Sequence, residues 1–373
     1  MGYSEWKEYK LGDLIMSANT GLDAIKRAPI VNNDTGIKCL RIQDISQKKY
    51  FFDWGFCDVT KDNFKKFQLK ENDLLIARTG ETVGVNRLIN KNICAVFNNG
   101  LIRIRTLNEK LLPRFLYYLC QSNDFKNHVH SIARGTSTQP NMRIGALLDF
   151  KLILPEIQIQ NKIALILSSL DDKIELNRQT NKTLVAIAQT LFKEMCVPKN
   201  EVLPKGWEVV QLNKVLEIKY GKDHKHLENG TIPLYGSGGI MRFVNKALYE
   251  EESILIPRKG TLSNLFYINK PFWSVDTMFY TKIKDRIYSK FLFLLLKSMN
   301  LAAMNVGSAV PSLTTEILNR LDIIIPSIDV LKKFDEIVTP FFNMLDANED
   351  ENQTHILIRD GLLPKLMKGE III

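Results

Sequence analysis

The sequence predicts an α+β protein: two mixed α/β domains separated by two long helices that form an antiparallel coiled coil, with a pseudo-twofold internal repeat. Three observations carry this. Landmarks recur in the same order in both halves of the chain. Two long stretches place inner residues at alternating four- and three-residue spacing. The segments between them are rich in short β-type runs punctuated by Gly, Asn and Asp.

The elements follow in order. Trp6 and Trp207 open the two copies, each followed by a short run ending in Leu11 or Leu212. Asp73-Leu-Leu-Ile-Ala-Arg-Thr-Gly80 is echoed by Ser253-Ile-Leu-Ile-Pro-Arg-Lys-Gly260, and Phe115-Leu-Tyr-Tyr-Leu119 by Phe291-Leu-Phe-Leu-Leu295. Gly135 to Pro155 is echoed by Gly307 to Pro326, with Pro140 matching Pro311. The offset drifts from 201 through 180 and 176 to 171, so the second copy has lost loop residues. Leu74-Leu-Ile-Ala77, Leu101-Ile-Arg-Ile-Arg105, Ile254-Leu-Ile256 and Met278-Phe-Tyr-Thr281 read as strands, interrupted by helical pieces around 113–130 and 289–304. The predicted domains are 1–154, a central helix 155–196, 197–326, and a C-terminal helix 327–373, with a turn-rich linker from Val197 to Gly206.

In the first helical stretch the inner positions are Ile163, Leu167, Leu170, Ile174, Asn177, Asn181, Leu184, Ala188, Leu191 and Met195. Adding 171 gives Phe334, Val338, Phe341, Leu345, Asn348, Asn352, His355, Arg359, Leu362 and Leu366. This is a heptad pattern. Asn177, Asn181, Asn348 and Asn352 fall at matching inner positions, where Asn costs stability and sets register. An antiparallel pair would bring the Asn layers together near its middle. Helices of this length span roughly 60 Å. Pro340 predicts a kink or break in the second helix, and Pro364 an end or bend in its last turn.

Composition narrows the function. The chain has 373 residues, 45% of them apolar and 24% charged, enough for ordinary cores. Phe291 to Leu296, fenced by Lys290 and Lys297, is far too short to cross a membrane, and Met1 to Lys10 lacks the apolar core of a signal peptide. Five cysteines without a Cys-x-x-Cys pair predict reduced thiols and a cytoplasmic protein. The net charge of +9 is uneven: residues 1–154 carry +8, 155–196 carry 0, 197–326 carry +5 and 327–373 carry −4. Two basic blocks suit a polyanionic partner, and two basic globules held apart by a rod suit two separated half-sites on DNA, which repeats every ~34 Å.

With these motifs in this order, the chain resembles the specificity subunit of a type I restriction–modification enzyme. The resemblance spans nearly the whole chain. It rests on Trp6 with Leu11-Gly12, Arg41-Ile-Gln-Asp-Ile45, Gly135-Thr-Ser-Thr-Gln-Pro-Asn141, Leu154-Pro155 with Gln160 and Ile163 downstream, Leu170-Asp-Asp-Lys-Ile-Glu-Leu-Asn-Arg178, Leu203-Pro-Lys-Gly-Trp207 and Leu362-Leu-Pro-Lys-Leu-Met-Lys-Gly-Glu370. It implies two target-recognition domains, each reading one half of a bipartite, asymmetric site on double-stranded DNA. It also implies that the helices set the spacing and dock two methyltransferase subunits, that restriction subunits join this core, and that the chain has no catalytic site of its own. The second copy departs from the pattern, reading Gly307-Ser-Ala-Val-Pro-Ser-Leu313 without the Gln.

No catalytic motif competes. The amino-methyltransferase tetrapeptide, the G-x-G-x-x-G fingerprint and the P-loop are absent. Gly236-Ser-Gly-Gly239 reads as a flexible loop rather than a phosphate cradle, and Glu217-Ile-Lys219 lacks the upstream Pro-Asp of a nuclease. His128-Val-His130 and His224-Lys-His226 lack further ligands at metal spacing and read as solvated or DNA-facing. No cofactor and no metal are expected. The alternatives are a single-chain nuclease or methyltransferase, and a coiled-coil scaffold that binds only proteins.

Sequence specificity needs side chains that reach base edges, and phosphate contacts need Lys, Ser, Thr and backbone N–H. In the first domain the candidates are Arg41, Gln43, Arg78, Thr79, Thr136, Ser137, Thr138, Gln139 and Asn141, with Arg41 and Asp44 able instead to pair inside the fold. In the second they are His226, Tyr235, Ser237, Arg242, Arg258, Lys259 and Ser308.

Overall fold

The computed structural model describes residues 6–133, 140–200, 202–260, 262–304, 312–371 and 373. In the first copy these form β1 (Lys7–Lys10), β2 (Ile15–Thr20), β3 (Ile30–Val31), β4 (Lys38–Leu40), α1 (Ile42–Ser46), β5 (Phe56–Cys57), α2 (Lys61–Phe67), β6 (Leu74–Ala77), β7 (Asn86–Leu88), β8 (Ala95–Phe97), β9 (Leu101–Thr106), α3 (Pro113–Leu119), α4 (Asn123–Ala133), α5 (Ile144–Leu148), β10 (Lys151–Leu154) and α6 (Ile157–Cys196). The second copy has β11 (Glu208–Gln211), β12 (Leu216–Tyr220), β13 (Asn229–Gly236), β14 (Gly239–Val244), β15 (Ser253–Pro257), β16 (Phe266–Ile268), β17 (Trp273–Ser274), β18 (Met278–Ile283), α7 (Ser289–Ser298), α8 (Thr315–Asn319), β19 (Asp322–Ile325) and α9 (Ile328–Met367).

The chain divides into two compact units, residues 1–175 with 352–373, and residues 176–351. Each long helix therefore contributes to both units. The strand and helix expectations hold: the four apolar runs are β6, β9, β15 and β18.

The first unit contains a sheet of order β2-β9-β6-β7, the second one of order β12-β18-β15-β16. Both are wholly antiparallel. The register matches too, since Leu75 faces Arg87 where Leu255 faces Phe266. Strands β6 and β15 are buried along their whole length, as strands paired on both sides and covered on both faces must be. An antiparallel ribbon joins the start of each copy to its end, β1 with β10 and β11 with β19. In β10 burial alternates residue by residue, the mark of one covered face.

The copies part company in their outer sheets. The first unit builds β3-β5-β4-β8, in which β4 and β8 run parallel. Around it Leu40, Trp54, Cys57, Phe67 and Phe97 form a separate apolar core. The second unit builds β14-β13-β17, dominated by one hairpin, over a core containing Leu234, Phe272, Trp273 and Met278. Gly236-Ser-Gly-Gly239, expected as a flexible loop, is the tight turn of this hairpin: Gly236 pairs with Gly239, whose φ of +110° suits glycine.

In the first unit Ile163 and Leu167 of α6 and Leu363, Leu366 and Met367 of α9 join one apolar core. There the Asp171 carboxylate accepts from the Tyr118 hydroxyl at 2.8 Å and from Arg359 Nη1 at 2.6 Å. Burial, reinforced by that carboxylate, pushes the Tyr118 hydroxyl pKa well above its ordinary value. In the second unit Ala188, Phe192 and Cys196 of α6 pack with Leu331, Phe334, Val338 and Phe342 of α9.

Two helix expectations are corrected. The buried stripe is wider than the heptad reading and drifts by one position. Phe192 and Cys196 are buried while the predicted Leu191 and Met195 are half-buried, and Phe342 is buried where Phe341 was predicted. A helix of 3.6 residues per turn slips about 20° per heptad against a 3.5 repeat, which moves the stripe by this much over several turns. α9 runs through both prolines, so the break expected as one outcome at Pro340 and the end expected as one outcome at Pro364 do not occur. Phe334, Val338 and Phe342 are buried on both sides of Pro340 and hold the helix across the missing hydrogen bond. At Pro364 the carbonyl still accepts from the Lys368 amide at 3.1 Å. Among the described residues no helix is long and apolar enough to cross a membrane.

Candidate nucleic-acid interface

Each unit presents one turn built by the same rule. In the first, β6 ends at Ala77 and the chain runs through Arg78-Thr79-Gly80. The Arg78 amide donates to the Gly100 carbonyl at 2.9 Å, and its own carbonyl accepts from the Met142 amide at 2.8 Å. Thr79 bridges Asn141, and Gly80 takes φ +81° while donating to the Pro140 carbonyl at 3.2 Å.

In the second unit the Arg258 amide donates to the Thr277 carbonyl at 2.9 Å, and its carbonyl accepts from the Leu313 amide at 3.1 Å. Lys259 bridges Ser312, and Gly260 takes φ +88°. A Cβ on Gly260 would lie 2.9 Å from Ser237 Oγ, so glycine here also admits the β13–β14 hairpin tip.

The side chains differ. Arg78 donates from Nη2 to Asn141 Oδ1 at 3.0 Å, and its buried Nε has no partner among the described residues. Arg258 lies over the Tyr220 ring at 5.4 Å and reaches the Asp276 carbonyl at 3.4 Å. Asn264 Nδ2 donates to the Ser237 carbonyl at 2.9 Å and ties the hairpin tip to the loop after Gly260. Neither Tyr220 nor Asn264 was singled out in the sequence. Both lie far along the chain from the residues they touch, so only a Gly-bearing loop and a strand end hinted at them.

The structure brings Arg78, Thr79 and Asn141 together in the first unit, and Ser237, Arg258 and Lys259 in the second. Thr136, Ser137, Thr138, Gln139 and Ser308 lie outside the described residues. Gln43 is exposed on α1.

Other candidates are committed elsewhere. Arg41 donates from Nε to Asp44 Oδ2 at 3.2 Å, and Lys49 adds a second ion pair to this fully buried carboxylate at 3.4 Å. A buried carboxylate needs such partners, which explains why Arg41 turns inward. Arg242 Nη2 donates to the His224 and Leu227 carbonyls at 2.8 and 3.0 Å, closing the turn before β13. Tyr235 is only 6% exposed, with its ring 5.7 Å from Phe266 in the core. Burial pushes its hydroxyl pKa up and holds it neutral. As a central strand residue of β13 it faces inward, which removes it from an outer surface.

His226 is exposed, 3.7 Å from Asp223 and 5.8 Å ring to ring from Trp273. His128, expected to be solvated or DNA-facing, is held 3.0 Å from the Ala146 carbonyl and against Phe150. Glu217 and Lys219 pair with each other at 2.9 Å on β12, an exposed strand-surface ion pair.

On the helices, Asn348 Nδ2 donates to Asn181 Oδ1 at 2.7 Å, Asn181 Nδ2 to the Leu345 carbonyl at 3.4 Å, and Asn177 Nδ2 to Glu351 Oε2 at 2.8 Å, all within the second unit. Asn352 is 1% exposed.

Residues 3–186 and 204–356 each match the family described as type I restriction modification DNA specificity domain. The chain is 28% identical over 301 residues to the type I restriction enzyme MjaIX specificity subunit of Methanocaldococcus jannaschii, covering 70% of this chain and 69% of that protein. It is 23% identical to the HindI specificity subunit of Haemophilus influenzae, over 99% of this chain and 100% of that one. The crystal structure of a type I restriction–modification S subunit from M. genitalium superposes with a TM-score of 0.62 at 20% identity, covering 97% of this chain and 96% of that one. With both copies matched, the chain belongs to the type I restriction–modification DNA specificity family.

Proposed function

We propose that the chain is the DNA sequence-recognition subunit of a type I restriction–modification complex, each copy reading one half of a bipartite, asymmetric site. One observation carries the reading. Both units offer an Arg-x-Gly turn from the equivalent strand of equivalent sheets, in segments of net positive charge, while the sheets beside the turns differ. A shared frame with unlike surroundings suits two dissimilar half-sites. Arg78, Thr79 and Asn141 of the first copy and Ser237, Arg258, Lys259 and Asn264 of the second are the proposed contacts. Arginine is the side chain suited to guanine edges and Asn to adenine, while backbone and hydroxyl donors anchor phosphates. Gln43, His226, Thr136, Ser137, Thr138, Gln139 and Ser308 complete the proposed contacts.

In this reading α6 and α9 pair as an antiparallel coiled coil that sets spacing and docks two methyltransferase subunits, with restriction subunits joining the complex. The Asn181–Asn348 hydrogen bond supports a register role for the Asn residues, because buried polar layers penalise slipped alignments. The domains are then 1–154 and 197–326 as readers, and 155–196 and 327–373 as helical segments. The chain is non-catalytic, works in the cytoplasm, and needs no cofactor; an adenine flipped into a bound methyltransferase would receive the chemistry.

The test is to co-express the chain with its methyltransferase and map methylated bases in genomic DNA. A split site is expected, and exchanging residues 197–326 for those of another specificity subunit should change one half-site only. A continuous recognition word, or a map indifferent to the exchange, overturns the proposal.

A further inference from the structure

The second unit holds a cavity of about 330 Å³ between β13, β16, α7 and the two long helices. Its wall is aromatic, from Tyr235, Phe266, Tyr267, Phe293 and Phe342, and Asp346 of α9 brings a carboxylate to it. The duplication shows what such a place is for. By strand register Phe266 stands where the first copy has Arg87, opposite Leu255 and Leu75 respectively. Phe293 stands where that copy has Tyr117, and Asp346 where it has Glu175.

In the first unit the Arg87 guanidinium occupies the equivalent place, held by one hydrogen bond and one aromatic face. Nη1 donates to the Lys49 carbonyl at 2.6 Å, and the guanidinium carbon lies 5.2 Å from the Trp54 ring. Tyr117 and Glu175 supply further favourable electrostatics to a group whose burial works against its charge. The second unit keeps a ring at the Tyr117 position, Phe293, and a carboxylate at the Glu175 position, Asp346, but has Phe266 in place of the arginine. Lys270 lines the cavity too, but its ammonium is drawn to Asp350, one turn beyond Asp346. Asn269 Nδ2 donates to Asp346 Oδ2, and among the described residues the other carboxylate oxygen has no hydrogen bond. Burial raises the Asp346 pKa, with Lys270 and Asn269 partly opposing it and the nearby Asp350 and Glu252 adding to it.

We infer that this cavity binds a guanidinium, or an equally delocalised organic cation, that the chain does not itself provide. Aromatic faces attract such a cation through their quadrupoles, and the remaining Asp346 oxygen can accept a charge-assisted hydrogen bond from it. The ligand is either a small guanidinium compound or the arginine of a bound protein, and the inference stands apart from the reading of DNA.

Agmatine is the probe, titrated into the full chain by calorimetry and followed by the aromatic proton resonances of the cavity. Saturable binding is expected, with a neutral alkylurea of equal length binding at least tenfold more weakly. Phe266→Arg, which transplants the first copy's residue, should abolish agmatine binding. Asp346→Asn, nearly isosteric and so safe for folding, should weaken it at least tenfold. Absence of saturable binding, equal binding of the alkylurea, or indifference to Asp346→Asn overturns the inference. Repeating the titration on the methyltransferase-bound chain separates the sources: retained binding identifies a free small molecule, and exclusion identifies a partner's arginine.

Discussion

The two copies share one sheet and differ in another. The sheets β2-β9-β6-β7 and β12-β18-β15-β16 agree in order and register, whereas β3-β5-β4-β8 and β14-β13-β17 differ in strand number and connection. The shared sheet packs against the long helices through Leu74, Ile104, Ile163 and Leu167 in one unit and Ile254, Phe279, Phe192 and Phe334 in the other. Its shape is constrained by that packing. The outer sheets lie over separate cores that exclude the long helices and take in the other face of the shared sheet, Leu75 and Ala77 in one unit and Leu255 and Met278 in the other. Duplicated folds can therefore vary what they present without disturbing how they are held.

The strongest way to break this comparison is at the crossing between the two sheets. A Cβ on Gly21 would sit 2.1 Å from the Phe97 carbonyl oxygen, and one on Gly221 2.0 Å from that of Val275. Gly21→Ala and Gly221→Ala should each cost about 4 kcal/mol or more, in the range reserved for identifiable steric or packing failures. Urea unfolding midpoints of the two variants check this; a mild effect at either glycine would mean the copies are not held alike.

Phe192→Ala comes next. Truncating this fully buried ring should cost about 3 kcal/mol or more, and Leu191→Ala clearly less. If Leu191→Ala costs more, the drift of the buried stripe is wrong and the heptad reading stands.

Arg78→Ala and Arg258→Ala sharpen the comparison on the functional side. Each should weaken DNA binding by about 1–3 kcal/mol and relax one base position in its own half-site only. A uniform loss across sequences with a shallower salt dependence would assign that arginine to phosphate anchoring instead.

The smallest effects are expected where helix meets domain. Asp171 accepts from Tyr118 and Arg359, while Asp335 pairs with Lys290 at 2.9 Å. Asp171→Asn and Asp335→Asn should each cost about 1–2 kcal/mol, because both leave a partly buried cation less well paired. Denaturant titrations of the two single variants suffice.

The duplication, the strands β6, β9, β15 and β18, and the two long helices were legible because apolar periodicity and repeated landmarks are local properties of the chain. Short backbone motifs such as Arg78-Thr79-Gly80 and Arg258-Lys259-Gly260 were legible for the same reason. Tertiary structure alone decided the rest. Arg41 is spent on Asp44 and Arg242 on two carbonyls, Tyr235 turns into the core, and Pro340 sits inside a helix held by the packing around it. A polar side chain's role depends on partners that satisfy its charge and hydrogen bonds, and those partners, such as Asn264 for the Ser237 carbonyl or Trp54 for Arg87, lie tens of residues away. Local pattern sets which elements form; only their assembly determines which side chains remain free to meet another molecule.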